Sequence, residues 1–265
     1  MAKASRLRST TAGRIRVGIG GWTFEPWRGV FYPEGLPHKR ELEFASRAMT
    51  SIEINGTFYS SFKPDTWMKW RDETPDDFVF SVKASRYCTS RRVLAEAGPS
   101  IEKFLAQGLT ALGAKLGPIE WQLAPTKKLD LADMERFLAL LPPEQDGVRL
   151  RHALEVRHPS FDDPGFHDLA RRHEVAIVSA EGEDHPEIDV PTAPFTYARL
   201  MIAAEDCATG VDAAGIERIA RRAQAWAERG DVFLYFIGAA KVRNPAAAQA
   251  LIARLTPPPA TSEPR

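Results

Sequence analysis

Two glutamates, a histidine and three cations stand at or just past the ends of apolar, strand-like runs, where side-chain chemistry would collect. Glu53 and Asn55 close SIEIN, Lys83 closes FVFSVK, and Gln122 sits in GPIEWQL. Glu155, Arg157 and His158 follow in HALEVRH, Arg199 in FTYARL and Tyr235 in DVFLYF. A carboxylate pair such as Glu53 and Glu155 divides acid and base roles when its surroundings push the two pKa values apart. In a glycosidase-like arrangement the separation of such a pair sets the stereochemical outcome. An imidazole at His158 suits proton transfer near neutral pH. Arg157 and Arg199 suit bidentate capture of a carboxylate or phosphate, and a desolvated Lys83 could serve as base or Schiff-base nucleophile. Asn55, Gln122 and Tyr235 would orient a polar substrate by hydrogen bonds. Trp22 and Tyr59, with Trp27, Phe31, Tyr32 and Phe58, would form an aromatic wall or lid.

Each of these residues also has a plainer reading. Lys83 on a neighbouring strand could neutralise Glu53, and Arg157 could clamp a carboxylate, because buried charges need partners whether or not they react. His158, just before Pro159, could fix a loop. The aromatic residues could stiffen a long loop, and the amides could satisfy buried neighbours. Strand alternation puts Glu53 with Asn55, Glu155 with Arg157, and Tyr197 with Arg199 on shared faces. Glu53, Glu155 and His158 are the one carboxylate–histidine set that would suit a divalent metal. There is no H-E-x-x-H and no cysteine cluster, only Cys88 and Cys207, so no cofactor is expected. Neither G-x-G-x-x-G nor G-x-x-x-x-G-K-[ST] occurs. The run 18–21 reads as a strand ending in a tight turn, whose N–H groups could still help hold an anion.

The elements that must carry these residues alternate. Eight runs rich in β-branched and aromatic residues lie at 15–20, 51–55, 78–83, 118–123, 152–156, 175–178, 195–200 and 232–236. Between most of them apolar residues recur at helical spacing, as in Leu131, Met134, Phe137, Leu138 and Leu141. Asp130, Asp163 and Asn244 are expected to cap the starts of helices, with Pro245 in the first helical position. Alternating strands and helices predict a parallel sheet covered by helices, and eight units favour closure into an α/β single (β/α)₈ TIM barrel. Long loops are expected after strands 1 and 2, at 21–40 and 60–77, the second holding a short helix near 66–71 in place of a regular one, with an irregular second or sixth helical layer. The polar strand ends then gather at the C-terminal mouth, where barrel sites lie.

At 265 residues the chain suits one domain of about the length that a barrel takes. The domain is expected over 14–256, preceded by a basic, disordered arm over 1–13 and followed by a Pro-rich tail over 257–265. Lys plus Arg and Asp plus Glu are both 35, which argues against a broad nucleic-acid footprint. No apolar stretch approaches the roughly 20 residues that span a membrane, and the basic start lacks a signal-peptide core. The expectation is a soluble, cytoplasmic protein with two free thiols. The composition says nothing about oligomeric state.

Seven stretches, in order, resemble the YecE-like family, also called domain of unknown function 72. They are GIGGWTFEPWRGVFYPEGL, SIEINGTFY, TPDDFVFSVKASRY, KLGPIEWQL, EVRHPSF, FTYARL and DVFLYF. The resemblance implies a TIM barrel with its site at the mouth, and it implies no common reaction. The chain departs from the family pattern at three places. Ser90 follows Thr89 where Thr-His is common, Met201-Ile202 stands for His-Gly, and Ile237-Gly238 stands for Asn-Asn. The leading functional expectation is an enzyme using acid–base chemistry on a small polar, anionic molecule. Glu53, Glu155 and His158 would be catalytic. Arg157, Arg199 and Lys83 would bind the anion. A non-catalytic barrel that binds a metabolite or a protein is the alternative, and nucleic-acid handling is a third class.

Overall fold

Every apolar run becomes a strand, and the strands lie side by side in parallel. The computed structural model describes residues 12–182 and 186–256. The expected tail lies outside these residues, as does the expected arm except for its last two positions. Gly13 N–H already donates to the Ala227 carbonyl at 2.8 Å. The strands of this parallel sheet are β1 (Ile15–Gly20), β2 (Ser51–Ile54), β3 (Val79–Lys83), β4 (Leu116–Gln122), β5 (His152–Glu155), β6 in two pieces (Ala176–Ile177 and Ser179–Glu181), β7 (Phe195–Leu200) and β8 (Asp231–Phe236). A separate two-residue antiparallel hairpin, Glu144–Gln145 against Val148–Arg149, precedes β5. The first piece of β6 pairs with β5 and the second with β7, so the two edges of the sheet are consecutive parts of one strand. Only Val178 interrupts it, and its N–H still donates to the Leu154 carbonyl at 3.0 Å. The sheet thereby wraps into an eight-stranded barrel. The sixth run continues to Glu181, beyond the expected end at 178.

The helices are α1 (Glu41–Ala48), α2 (Pro64–Glu73), the short α3 (Arg86–Thr89), α4 (Gly98–Leu105), α5 (Leu131–Leu138), α6 (Pro164–Arg172), α7 (Ala213–Ala227) and α8 (Asn244–Leu255). Two predicted caps are present: Asp130 accepts from Asp133 N–H and Asp163 from Phe166 N–H, both at 3.0 Å. The third is corrected. Asn244 is already helical, and its Nδ2 donates back to the Gly238 carbonyl at 3.2 Å, so Arg243 takes the cap position. Among the described residues no helix follows β6. There an extended segment covers the barrel instead. Thr192 Oγ1 accepts from Ile177 N–H and donates to the Val175 carbonyl, and Asp189 accepts from Trp226 Nε1–H.

Alternation divides the apolar residues into two cores. Outward-facing strand residues and the helices form the larger one. The inward positions form a separate interior, with Val79, Phe195, Phe233, Tyr197 and Tyr235 among its members. At Gly18, an inward position of β1, a Cβ would stand 1.9 Å from the Ser51 carbonyl oxygen, so only glycine lets these two backbones approach. The long loop after β1 is stitched onto the barrel: Trp27 Nε1–H donates to the Lys241 carbonyl and Tyr32 O–H to the Trp22 carbonyl. Trp27 and Tyr32 are buried. Among the described residues no helix is long and apolar enough to cross a membrane.

Candidate functional site

The interior is built in layers from strand parity. Phe195 and Phe233 lie nearer the N-terminal end, and two residues further along the same strands come Tyr197 and Tyr235, 5.3 Å apart between ring centroids. Ser51 and Ser81 on β2 and β3 share the layer. Ser51 Oγ donates to the Val79 carbonyl, which leaves it to accept from Tyr235 O–H at 2.7 Å, while Ser81 Oγ stands 2.6 Å from that hydroxyl. Burial raises the Tyr235 phenol above its ordinary pKa. Tyr235, predicted to orient a substrate, is a floor of the site with its hydroxyl already occupied.

One layer higher, the strand ends carry charge. Glu53 accepts from Tyr197 O–H (2.6 Å) and from Arg199 Nη2 (3.1 Å). The other amino group of Arg199 donates to Glu155, whose second oxygen accepts from Arg157 Nε at 2.5 Å. Lys83 Nζ donates to Gln122 Oε1 and stands 3.7 Å from Glu120 Oε2. Three carboxylates thus face three cations, and Glu53, Glu120 and Glu155 are fully buried. Lys83 was expected to neutralise Glu53; it pairs with Glu120 instead, and Arg199 takes Glu53. The expected clamp of Arg157 on a mouth carboxylate is present, on Glu155.

Glu120 is the residue that sequence reasoning missed. It faces Lys83 across the β3–β4 register, and it lies two positions before Gln122, so both project inward. That parity was the available signal, obscured because Glu120 sits inside an apolar run rather than at its end. Both of its oxygens are buried without a hydrogen-bond partner. Burial pushes its carboxyl up to about 7, against the weaker pull of Lys83 and Arg199. Burial pushes Glu155 up too, but there Arg199, Arg157 and Lys83 together outweigh it and hold the carboxyl at about 2. Two neighbouring carboxyls are thereby driven apart, one held ionised and one poised near neutrality.

The other predicted residues lie around this cluster. Gln122 and Arg157 are half-buried and form its more open edge. His158 is held in the loop: its Nδ1 accepts from Ser160 N–H at 3.1 Å and stands 2.9 Å from Ser160 Oγ, capping the turn Pro159–Phe161. Trp22 and Asn55 line a cavity of about 240 Å³ with Phe62 and Trp70, and Asn55 Oδ1 is buried without a partner. Tyr59 is 70% exposed and belongs to a different cavity. Phe58 connects the two regions, with Lys83 Nζ 4.9 Å from its ring centroid and Tyr59 edge-on at 5.0 Å. The Gly21 N–H donates to the Glu53 carbonyl, so this turn fastens β1 to β2. The replaced family positions Met201 and Ile237 pack, partly buried, against the barrel interior. Among the described residues no three His, Cys, Asp or Glu side chains are grouped to hold a metal ion.

Comparison with known proteins agrees with this architecture. The family model described as protein of unknown function DUF72 matches residues 16–265. The UPF0759 protein YecE of Escherichia coli K12 is 28% identical over 148 residues, 56% of this chain and 50% of that protein. The chain therefore spans about half the length of the curated relatives it matches. A DUF72 family protein from Thermotoga maritima superposes with a TM-score of 0.71 at 19% identity, covering 91% of this chain and 98% of the other. One from Enterococcus faecalis gives 0.67 at 14%, covering 92% and 99%. The chain belongs to the DUF72 family.

Proposed function

We propose that this DUF72 barrel is an enzyme that moves a proton on a small polar substrate at its C-terminal mouth. The observation that carries the reading is Glu120, buried with neither oxygen hydrogen-bonded and only Lys83 Nζ at 3.7 Å for a counter-charge, beside a carboxylate whose two oxygens are both hydrogen-bonded. A structural ionic core would be expected to hydrogen-bond every buried oxygen, and leaving one carboxyl without a hydrogen bond costs stability that a proton-transfer role would explain. In this reading Glu120 exchanges the proton near neutral pH. Arg199 fixes Glu53 and Glu155 as charged walls, and Lys83 and Gln122 hold the adjoining edge. Arg157, Arg199 and Lys83 each face a carboxylate. A substrate meeting them would thus exchange hydrogen bonds with an existing network rather than find bare positive charge. His158, engaged by Ser160, would position the loop above.

The test is proton exchange. The protein is incubated in D₂O with small carboxylic acids, sugar phosphates and free sugars, and each compound is followed by proton NMR. Saturable loss of a carbon-bound proton signal, abolished in Glu120→Gln with its fold intact, is the expected result. Exchange or turnover that survives Glu120→Gln would overturn it. A second reading, a binding barrel with a purely structural ionic core, is favoured by the mutual pairing of Glu53, Arg199, Glu155 and Arg157. It predicts no exchange with any compound.

A further inference from the structure

We propose that a cavity beside the mouth, between the segments following β2 and β3, binds a phosphorylated compound carrying a planar ring, of which a mononucleotide is the simplest. The cavity holds about 400 Å³, and Tyr59, Ser85, Tyr87, Arg91, Ser100 and Lys103 are among its lining residues. That volume falls within the usual range for small-molecule sites. Two features set it apart from the charged cluster, and neither depends on the acid–base reading above.

The first is unmatched positive charge. Among the described residues neither Arg91 nor Lys103 makes an ion pair, nor does nearby Arg86, and no carboxylate lines the cavity. The mouth cations, by contrast, all face glutamates. Arg91 is held in place: its Nε donates to the Tyr87 carbonyl at 3.1 Å and its Nη2 to Ser100 Oγ at 2.7 Å. Its Nη1 remains available for an incoming anion. A guanidinium fixed by its own hydrogen bonds loses less freedom on capturing a phosphate. The serine hydroxyls add donors of the kind that phosphate oxygens accept.

The second is exposed aromatic surface. Tyr59 and Tyr87 are 70% and 62% exposed, and both rim this one cavity. Arg86 already lies over the Tyr87 ring, 5.3 Å from its centroid. Flat aromatic faces next to free cations suit a ligand with a ring at one end and a phosphate at the other, and stacking accepts any base.

The experiment is calorimetric titration of the full chain at low salt with AMP, UMP, adenosine, ribose 5-phosphate and inorganic phosphate. AMP and UMP are expected to bind alike. Adenosine, ribose 5-phosphate and phosphate should each bind at least tenfold more weakly. The Arg91→Ala, Lys103→Ala double variant should weaken AMP at least tenfold. Lys103→Glu, at an exposed position, provides the same test should Arg91→Ala fail to fold. Tyr87→Ala should weaken AMP but leave phosphate unchanged. Undetectable AMP binding at millimolar concentration, or AMP binding untouched by these variants, would overturn the proposal. Phosphate or ribose 5-phosphate binding as tightly as AMP would overturn it too. Glu120→Gln should bind AMP like the native chain, so failure here and failure of the proton-exchange test are separate results.

Discussion

Glu120 makes a prediction through stability alone, without any substrate. Its carboxyl is raised from 4.5 to about 7 in the folded chain. Between those values the folded protein keeps a proton that the unfolded chain has released, so raising the pH through this window favours unfolding. The loss amounts to about 3 kcal/mol once the pH passes the folded value. Glu155 runs the other way: its carboxyl is lowered to about 2, so its contribution is complete above 4.5 and fades as pH falls towards 2. Glu120→Gln removes the first effect and leaves the second. Urea unfolding should show the variant close to the native chain at pH 5 and about 3 kcal/mol more stable at pH 8. Both should lose stability together below pH 4. A difference that does not change between pH 5 and pH 8 would mean that Glu120 does not titrate in this window. The same side chain illustrates why the site was only half legible in the sequence. Glu53, Glu155 and Arg199 stand where polar residues interrupt apolar runs at strand ends. Glu120 reads as one polar letter within a strand, and its burial depends on which neighbours the closed barrel brings round it.

The elements were more legible than the pairings between them, because hydrophobic period and helix caps are local while ion pairs are not. Asp130 and Asp163 could be read as caps because a capping oxygen serves its own helix three residues on. Asp133 could not: it sits in the first turn of α5, yet accepts from Leu94 and Ala95 N–H (3.0 and 2.9 Å) and from Lys127 Nζ (2.9 Å). Nothing in its spacing announces a bond to residues almost 40 positions earlier. The missing helix after β6 has a related cause, since Thr192 and Asp189 fasten that segment to a strand and a helix elsewhere in the chain. The contrast is measurable. Asp163→Ala removes one cap bond at a helix end and should cost about 1 kcal/mol. Asp133→Ala leaves two backbone N–H groups without their acceptor and Lys127 with only the Arg92 carbonyl, and should cost about 3 kcal/mol or more. Parallel urea denaturation of the two variants would test this. Equal costs would mean that the turn Leu94–Glu96 finds other acceptors and is not held by Asp133.

At the scale of the whole molecule, the charged layer exists only because the barrel closes. Arg199 on β7 reaches Glu53 on β2 and Glu155 on β5, and the chain brings these strands together only after β6 has joined both edges of the sheet. The arginine is therefore a cross-brace as well as part of the proposed site, and its removal should be felt throughout the barrel. Arg199→Met leaves Glu53 with only Tyr197 and Glu155 with only Arg157 in a fully buried setting. Breaking a buried pair in this way costs about 3–5 kcal/mol, more than the pair itself contributes. The deficit should depend on pH in a definite direction. Arg199 is the largest of the charges that hold the Glu155 carboxyl down, so without it that carboxyl rises, its burial as an anion is most costly at pH 8, and protonation relieves it as the pH is lowered towards 5. Adding Glu53→Gln and Glu155→Gln to Arg199→Met removes the charges left behind, and should recover most of the lost stability at pH 8. Thermal melts of the single and triple variants at the two pH values would decide. A single-variant deficit unchanged by pH, or a triple variant no more stable than the single, would place the role of Arg199 in packing its long side chain across the barrel rather than in holding two carboxylates apart.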